Sequence, residues 1–453
     1  MQPILKHSAG ALAARALALT LALASIPALA QDVPTQADLA RRLEQLASEL
    51  ANVKAELAQL KSQQAAQPAP TVAGTGWNGG QAAPAGGAPA AAAVATAADA
   101  PATQGPSTVV TGYGEVNYNR PRKQSENAQL DIRRFVIGLQ HRIDDRTKIV
   151  SELEVEHAVS SASDPGEVEV EQAYIERQLS PTLAARGGLF LMPVGLLNEN
   201  HEPTAYYGVE RNFVETAIIP TTWREVGAQL VATLDNGLTL QGGLVTSFDL
   251  TKWDATATEG RESPLGSIHQ EGALAKARNV AFFGAANWRG VPGLLVGGSL
   301  FSGGASQGLA DYPRARINLA DVHARWTPGK WDLSALYARG GISNTAALNL
   351  PLVGSATLIP KNFYGWYTQA AYKLWHSGDY QLSPFVRYER FNTASAYANL
   401  GDGITPEADR AEGVTTVGAN LWLTPTIVLK ADYQRFKVNT LANRFNLGLG
   451  WSF

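Results

Sequence analysis

The chain has no cysteine and only two methionines, Met1 and Met192. Without cysteine there is no disulfide framework, and the chain suits an oxidising compartment as well as a reducing one. Long hydrophobic runs are also missing. After the first thirty residues no stretch reaches the roughly 18 consecutive apolar side chains of a membrane-crossing helix, which excludes an inner-membrane or tail-anchored helical protein. Nor is there an excess of positive charge. The net charge is −3, and residues 108–453 carry 31 basic against 34 acidic side chains, so no nucleic-acid partner is expected. Signatures of catalysis are absent too: the seven histidines are scattered, with no His-x-x-x-His pair, nucleophile elbow or phosphate loop. No enzyme activity, cofactor or metal site is therefore expected. The hydrophobic fraction of 45% is ordinary for a soluble protein and equally for a β-barrel, half of whose strand residues face water.

What is present begins at the C-terminus. Phe445, Leu447, Leu449, Trp451 and Phe453 alternate with Asn446, Gly448, Gly450 and Ser452. Strict alternation ending on a bare aromatic predicts a strand with one apolar and one polar face, of the roughly 9–11 residues that cross a bilayer in a barrel. This end resembles the terminal strand of bacterial outer-membrane proteins, where it also signals to the assembly machinery. At the other end, Lys6, His7 and Arg15 precede an apolar run from Ala16 to Ile26, and Ala28-Leu29-Ala30 has the small-x-small pattern of a cleavage site. Residues 1–30 read as a secretory signal, with the mature chain starting at Gln31.

Leu39, Leu43, Leu46, Leu50, Val53, Leu57 and Leu60 are spaced alternately by four and three, with charged residues between them. This heptad seam predicts a coiled-coil helix within 31–64, marginal by itself and plausible if another part of the chain holds the copies together. The alternative is a single amphipathic helix lying on the barrel or on peptidoglycan. Residues 65–107 are Ala, Pro, Gly, Thr and Gln with little charge, the composition of a flexible periplasmic linker.

From residue 108 to 453 the texture is one of short alternating runs. Tight-turn signals such as Asp144-Asp145, Ser180-Pro181, Asp235-Asn236-Gly237, Thr327-Pro328-Gly329-Lys330, Ser377-Gly378-Asp379 and Thr424-Pro425 separate several pairs, and long polar segments such as 251–277, 302–315 and 392–412 separate others. Short turns at one end and long loops at the other are the asymmetry of a transmembrane barrel, and the length allows roughly 16 antiparallel strands. Trp288, Trp326, Trp331, Trp366, Trp375, Trp422 and Trp451 lie near run ends, where they suit interfacial girdles.

A long polar segment follows about the fifth strand, from Leu196 to Thr222. Irregular backbone at membrane depth is tolerated only inside a barrel, so this loop is expected to fold into the lumen. Glu199, His201, Glu202, Glu210, Arg211, Glu215 and Arg224 would then set the charge at a constriction; the alternative is an external loop with incidental charges. Glu152, Glu154 and Glu156, and again Glu167, Glu169 and Glu171, alternate with apolar residues and would point carboxylates inward from two neighbouring strands. Ala173-Tyr174-Ile175 breaks the second pattern, as a bulge would. His323 shares a strand face with Asp321 and Arg325, which suits a lumen hydrogen bond.

The segments Leu130-Asp131-Ile132-Arg133-Arg134-Phe135, Pro193-Val194-Gly195, Gly365-Trp366-Tyr367-Thr368-Gln369-Ala370-Ala371-Tyr372 and Leu382-Ser383-Pro384-Phe385-Val386-Arg387-Tyr388-Glu389-Arg390-Phe391 resemble those of the phosphate-selective porins of the O and P family, in their order and spacing. The resemblance implies a 16-stranded outer-membrane barrel, usually trimeric, with a periplasmic N-terminal extension. It also implies a lumen ladder of arginines, for which Arg133, Arg134, Arg325, Arg387, Arg435 and Arg444 are the candidates; the nine lysines of the barrel form no cluster. The expected function is passive diffusion of small hydrophilic solutes, with anions such as phosphate the leading class. The expected partners are outer-membrane lipid, further copies in a homotrimer, and the barrel assembly machinery acting on the Phe453 strand. A structural protein tethering the membrane to peptidoglycan through its coil is the second reading, and a barrel enzyme the third.

Overall fold

The computed structural model describes residues 106–453, apart from Ala162, and Ser48 alone among the preceding residues. The expected signal, coil and nearly all of the linker therefore lie outside the described residues. The strands are β1 (Ser107–Pro121), β2 (Gln129–Arg142), β3 (Thr147–Glu156), β4 (Val168–Ser180), β5 (Leu183–Leu191), β6 (Arg224–Thr233), β7 (Leu238–Thr246), β8 (Val280–Val291), β9 (Leu294–Gly304), β10 (Arg316–Trp326), β11 (Trp331–Ile342), β12 (Asn362–Tyr372, resumed at Trp375–Ser377), β13 (Tyr380–Ala396), β14 (Glu412–Thr424), β15 (Ile427–Phe436) and β16 (Arg444–Ser452). Each pairs antiparallel with its sequence neighbours, and β1 pairs with β16 from Tyr113↔Ser452 to Pro121↔Arg444, which closes a 16-stranded barrel. At the seam Phe453 N donates to Gly112 O at 2.8 Å and Gly112 N donates to Phe453 O at 3.0 Å. Closure leaves no unpaired strand edge.

The connections alternate strictly. Seven tight turns lie at one end, together with Ser107 and Phe453; the eight longer connections lie at the other. Six of the seven turns fall at the expected turn signals, and the seventh is Pro292-Gly293 between β8 and β9.

Alternation sets the faces. In β16, Phe445, Leu447 and Leu449 are exposed on the outer face while Asn446 and Gly450 are buried inside. The same phase runs around the barrel: Val322, Tyr337, Val386 and Val417 point outward, and Asp321, Asp332, Arg387 and Thr416 inward. The expected bulge is present in β4. The register slips between Glu152 and Leu153, so that Glu171 and Gln172 both face the interior. Trp422 departs from the expected girdle. It is inward and 4% exposed, packed edge-on against Tyr207, because its strand phase is that of Thr416 and Asn420.

The interior is filled unevenly. Toward the loop end of β8–β12 an apolar cluster forms around Trp223, which stacks on Phe248 (5.2 Å) and meets Phe301 edge-on (4.9 Å). Ile218, Leu265 and Ile268 complete it from the loops after β5 and β7. These two loops thus carry their own hydrophobic anchor into the barrel.

Candidate constriction site

The segment from Met192 to Trp223 starts at the loop end of β5 and crosses the lumen. Its entry is fixed by Asn198, whose Nδ2 donates to Met192 O (2.7 Å) and Trp223 O (2.8 Å) and whose Oδ1 accepts from Trp223 N (2.7 Å). That one amide ties the two limbs of the loop together. Gly195, at φ +74°, passes so close to Glu215 that a Cβ there would lie 2.5 Å from Oε1. Glu215 is the second tie: its carboxylate accepts from Leu196 N (2.6 Å), Leu197 N (2.7 Å), Asn212 Nδ2 (2.7 Å) and, across the lumen, the hydroxyl of Tyr367 on β12 (3.0 Å). A single π-turn at Val214–Ile218 leads back toward β6.

Between these ties the loop touches walls on opposite sides. His201 Nε2 lies 2.7 Å from Tyr113 Oη on β1 and 3.5 Å from Glu171 on β4. Tyr206 donates to Glu115 on β1 (2.9 Å), and Tyr207 to Asp332 on β11 (3.3 Å). Val209 N donates to Asp432 on β15 (2.7 Å), Gly208 N to Asn420 on β14 (3.2 Å), and Phe213 N to Glu389 on β13 (2.6 Å). Inward carboxylates and amides receive loop backbone N–H groups that would otherwise be buried without partners.

The sequence-predicted residues separate accordingly. Arg134 is buried and donates to Glu115 (2.7 Å), with Glu154 at 3.8 Å. Arg387 donates to Glu389 (2.9 Å) and to the loop carbonyl of Tyr207 (3.1 Å). Arg325 grips Asp332 in bidentate fashion at 3.0 and 2.7 Å. Arg444 is inward at the loop end, donating to Gln434 (2.8 Å). Glu199 accepts from Gln241 on β7 (3.0 Å), and Glu210 from Asn119 on β1 (3.0 Å). Arg211 bonds Thr221 and Thr222 within the loop, Glu202 is half-buried, and Arg224 bridges Glu169 (2.5 Å) and Glu271 (3.1 Å).

One candidate lies elsewhere. Arg435 is exposed on the outer face, because β15 turns Lys430, Asp432 and Gln434 inward and its odd-numbered neighbours out. Arg133 is half-buried at a bulge, passed over by the pairing of β2 with β1, where Ile132 and Arg134 take successive partners. His323 faces inward as expected, bonded to Asp321 (2.5 Å) and 2.8 Å from Asn287 Oδ1.

Sequence reasoning missed Glu115, Asp332, Glu389, Asp432, Tyr206 and Tyr207, which do most of the anchoring. Strand phase was a signal for the carboxylates, as in β15, where Asp432 shares its parity with Lys430 and Gln434; Tyr206 and Tyr207 lie in the loop and had no such signal. The loop after β7, residues 247–279, was not expected to enter either. At its start Asp249 accepts from Thr251 N (3.0 Å) and pairs with Lys276 (2.9 Å). Burial pushes the Asp249 carboxyl up, but the Thr251 and Lys276 hydrogen bonds outweigh it and hold it below the ordinary aspartate value.

No family model matches the chain. An uncharacterized protein of Aquifex aeolicus (strain VF5) is 29% identical over 356 residues, covering 76% of this chain and 79% of that one. Among solved structures the chain is similar to Salmonella typhi OmpF in complex with daunomycin, at 12% identity and a TM-score of 0.52 over 76% of this chain and 97% of that one. It is also similar to the anion-selective porin of Comamonas acidovorans, at 13% identity and a TM-score of 0.49 over 77% of this chain and all of that one. The likeness to OmpF shows the fold, that of the outer-membrane porins.

Proposed function

We propose that the protein is an outer-membrane diffusion channel for small hydrophilic solutes, with the loop after β5 as its constriction. One observation carries the reading: a closed barrel with an apolar outer face holds an ordered polar loop across its lumen, bonded to β1, β12, β13 and β15. Solutes would pass through the gaps the loop leaves, without an energy source.

Anions such as phosphate are among the proposed permeants, supported by the inward Arg134, Arg325 and Arg387. Each of these shares its charge with a carboxylate, so the expected preference for anions is modest. A homotrimer, export by residues 1–30, a periplasmic coil at 31–64 and assembly through the Phe453 strand belong to the same proposal, on the sequence features given above.

Planar-bilayer recording of the full mature chain tests it. Stepwise openings with a reversal potential on the chloride side in a salt gradient support the proposal. Silent bilayers, together with peptidoglycan co-sedimentation that is lost on deleting 31–64, would favour the tethering protein.

A further inference from the structure

Outward-facing charge on the strands is of one kind. Every strand carboxylate has inward phase, whereas Arg120, Arg316, Arg339, Arg390 and Arg435 are exposed on the outer face toward the loop end. None of the five forms an ion pair with a carboxylate among the described residues.

Four of them sit in one repeated setting: Tyr118-Asn119-Arg120 on β1, Tyr337-Ala338-Arg339 on β11, Tyr388-Glu389-Arg390 on β13 and Tyr433-Gln434-Arg435 on β15. In each, tyrosine and arginine share the outer face and the middle residue points inward. These are the successive strands that run toward the loop end on one half of the barrel. The register links them through further aromatics, with Trp366 opposite both Tyr337 and Arg390, and Phe445 opposite both Arg120 and Tyr433. On the other half, the last outward-phase residues of β3, β5, β7 and β9 at the corresponding rim are Val155, Leu191, Thr246 and Gly304.

The spacing has a physical meaning. Tyrosine rings settle at the boundary between hydrocarbon and headgroups. Two residues further along an extended strand is about 7 Å, the step from that boundary into the phosphate layer. A planar guanidinium there forms paired hydrogen bonds to a phosphate. A second barrel laid alongside offers no outward strand carboxylate to meet it.

We infer that this half-belt is a docking surface for phosphorylated lipid headgroups of the leaflet at the loop end. The inference rests on the membrane reading above, but its test involves no conductance, so the two can fail separately.

The full mature chain, folded in detergent, is titrated with a diphosphorylated glucosamine-disaccharide lipid and with the same lipid dephosphorylated, and bound lipid is counted by native mass spectrometry. The phosphorylated form should bind more tightly, and increasingly so as salt is lowered. At roughly a fivefold change per arginine, the triple variant R339Q/R390Q/R435Q should lose about a hundredfold in affinity. R177Q, at the turn end, should change little. Wild-type salt dependence gives a reading that needs no variant. Equal binding of the two lipids, no salt dependence, or an unchanged triple variant would overturn the inference. So would saturation of the belt by millimolar inorganic phosphate, which would make its ligand a free anion.

Discussion

Replacing Glu215 by glutamine keeps the shape of the side chain and removes only its charge. The carboxylate is 4% exposed and receives four hydrogen bonds, two on each oxygen. Glutamine must turn an NH₂ toward one of the two pairs. Facing Leu196 and Leu197 it would oppose two backbone donors, so the better pose turns it toward Asn212 and Tyr367. The Tyr367 hydroxyl can rotate and accept. Asn212 cannot flip its amide, because its Oδ1 already accepts from Glu215 N at 2.9 Å. One buried donor is thus orphaned, at about 1–3 kcal/mol, and two charge-assisted bonds become neutral, at roughly 1 kcal/mol each. A loss of about 3–5 kcal/mol raises the population of the released loop by at least about a hundredfold. In planar bilayers, Glu215→Gln should therefore show larger or frequently interrupted conductance steps where the wild type is steady. Tyr367→Phe, which removes one of the four bonds, should be intermediate. Traces indistinguishable from wild type, from a variant whose gel mobility still shifts on heating, would refute the idea that this carboxylate holds the constriction.

Three further outcomes follow from the geometry. Arg134→Gln removes a buried cation from between Glu115 and Glu154 and should move the reversal potential toward cation preference; an unmoved potential would remove Arg134 from the selectivity. Asp249 has its folded pKa depressed, so its stabilising effect is complete above the unfolded value of about 4 and is lost as pH falls through the lower folded value. Hydrogen exchange in 247–279, corrected for intrinsic rate, should rise on acidification below about pH 4, and protection that persists to pH 2 would contradict this. Gly188 has φ +135°, and a Cβ there would lie 2.3 Å from Ala173 O, so Gly188→Ala should cost at least about 1–3 kcal/mol and lower the temperature of the heat-induced gel shift, whereas an unchanged shift would refute the strain.

The barrel was legible because its signals are local. The Phe445–Phe453 alternation gives the closing strand, and Asp235-Asn236-Gly237 supplies at Gly237 the positive φ of +81° that its turn uses. Composition alone announced that the loop after β5 could not face lipid. The anchoring partners were less legible, because they depend on phase and on contacts between residues far apart in the chain. Arg435 was placed in the lumen on residue type, yet Tyr433 and Leu429, in phase with it, put it outside. Glu389 and Phe213 are 176 residues apart, and no spacing rule brings that carboxylate to that N–H. The entry of the loop after β7 had a weak local signal in Phe248, Leu250, Leu265 and Ile268, apolar residues in an otherwise polar stretch.

The two ways of holding the loops divide the lumen. Around Trp223 the grip is apolar, made by ring stacking and close packing that water cannot enter. Against β1, β13 and β15 it is polar, made by Glu115, Glu389 and Asp432 accepting from Tyr206, Phe213 and Val209. A hydrated solute carries its own hydrogen-bonding groups and can exchange with the second kind of contact but not with the first. Under the proposed channel reading, solutes would follow the polar arc from β13 through β16 and β1 to β4, on which the buried Arg134, Arg387, Glu154 and Glu171 also lie. Both halves hold the loop in place, the apolar one by close packing and the polar one by hydrogen bonds to Glu115, Glu389 and Asp432.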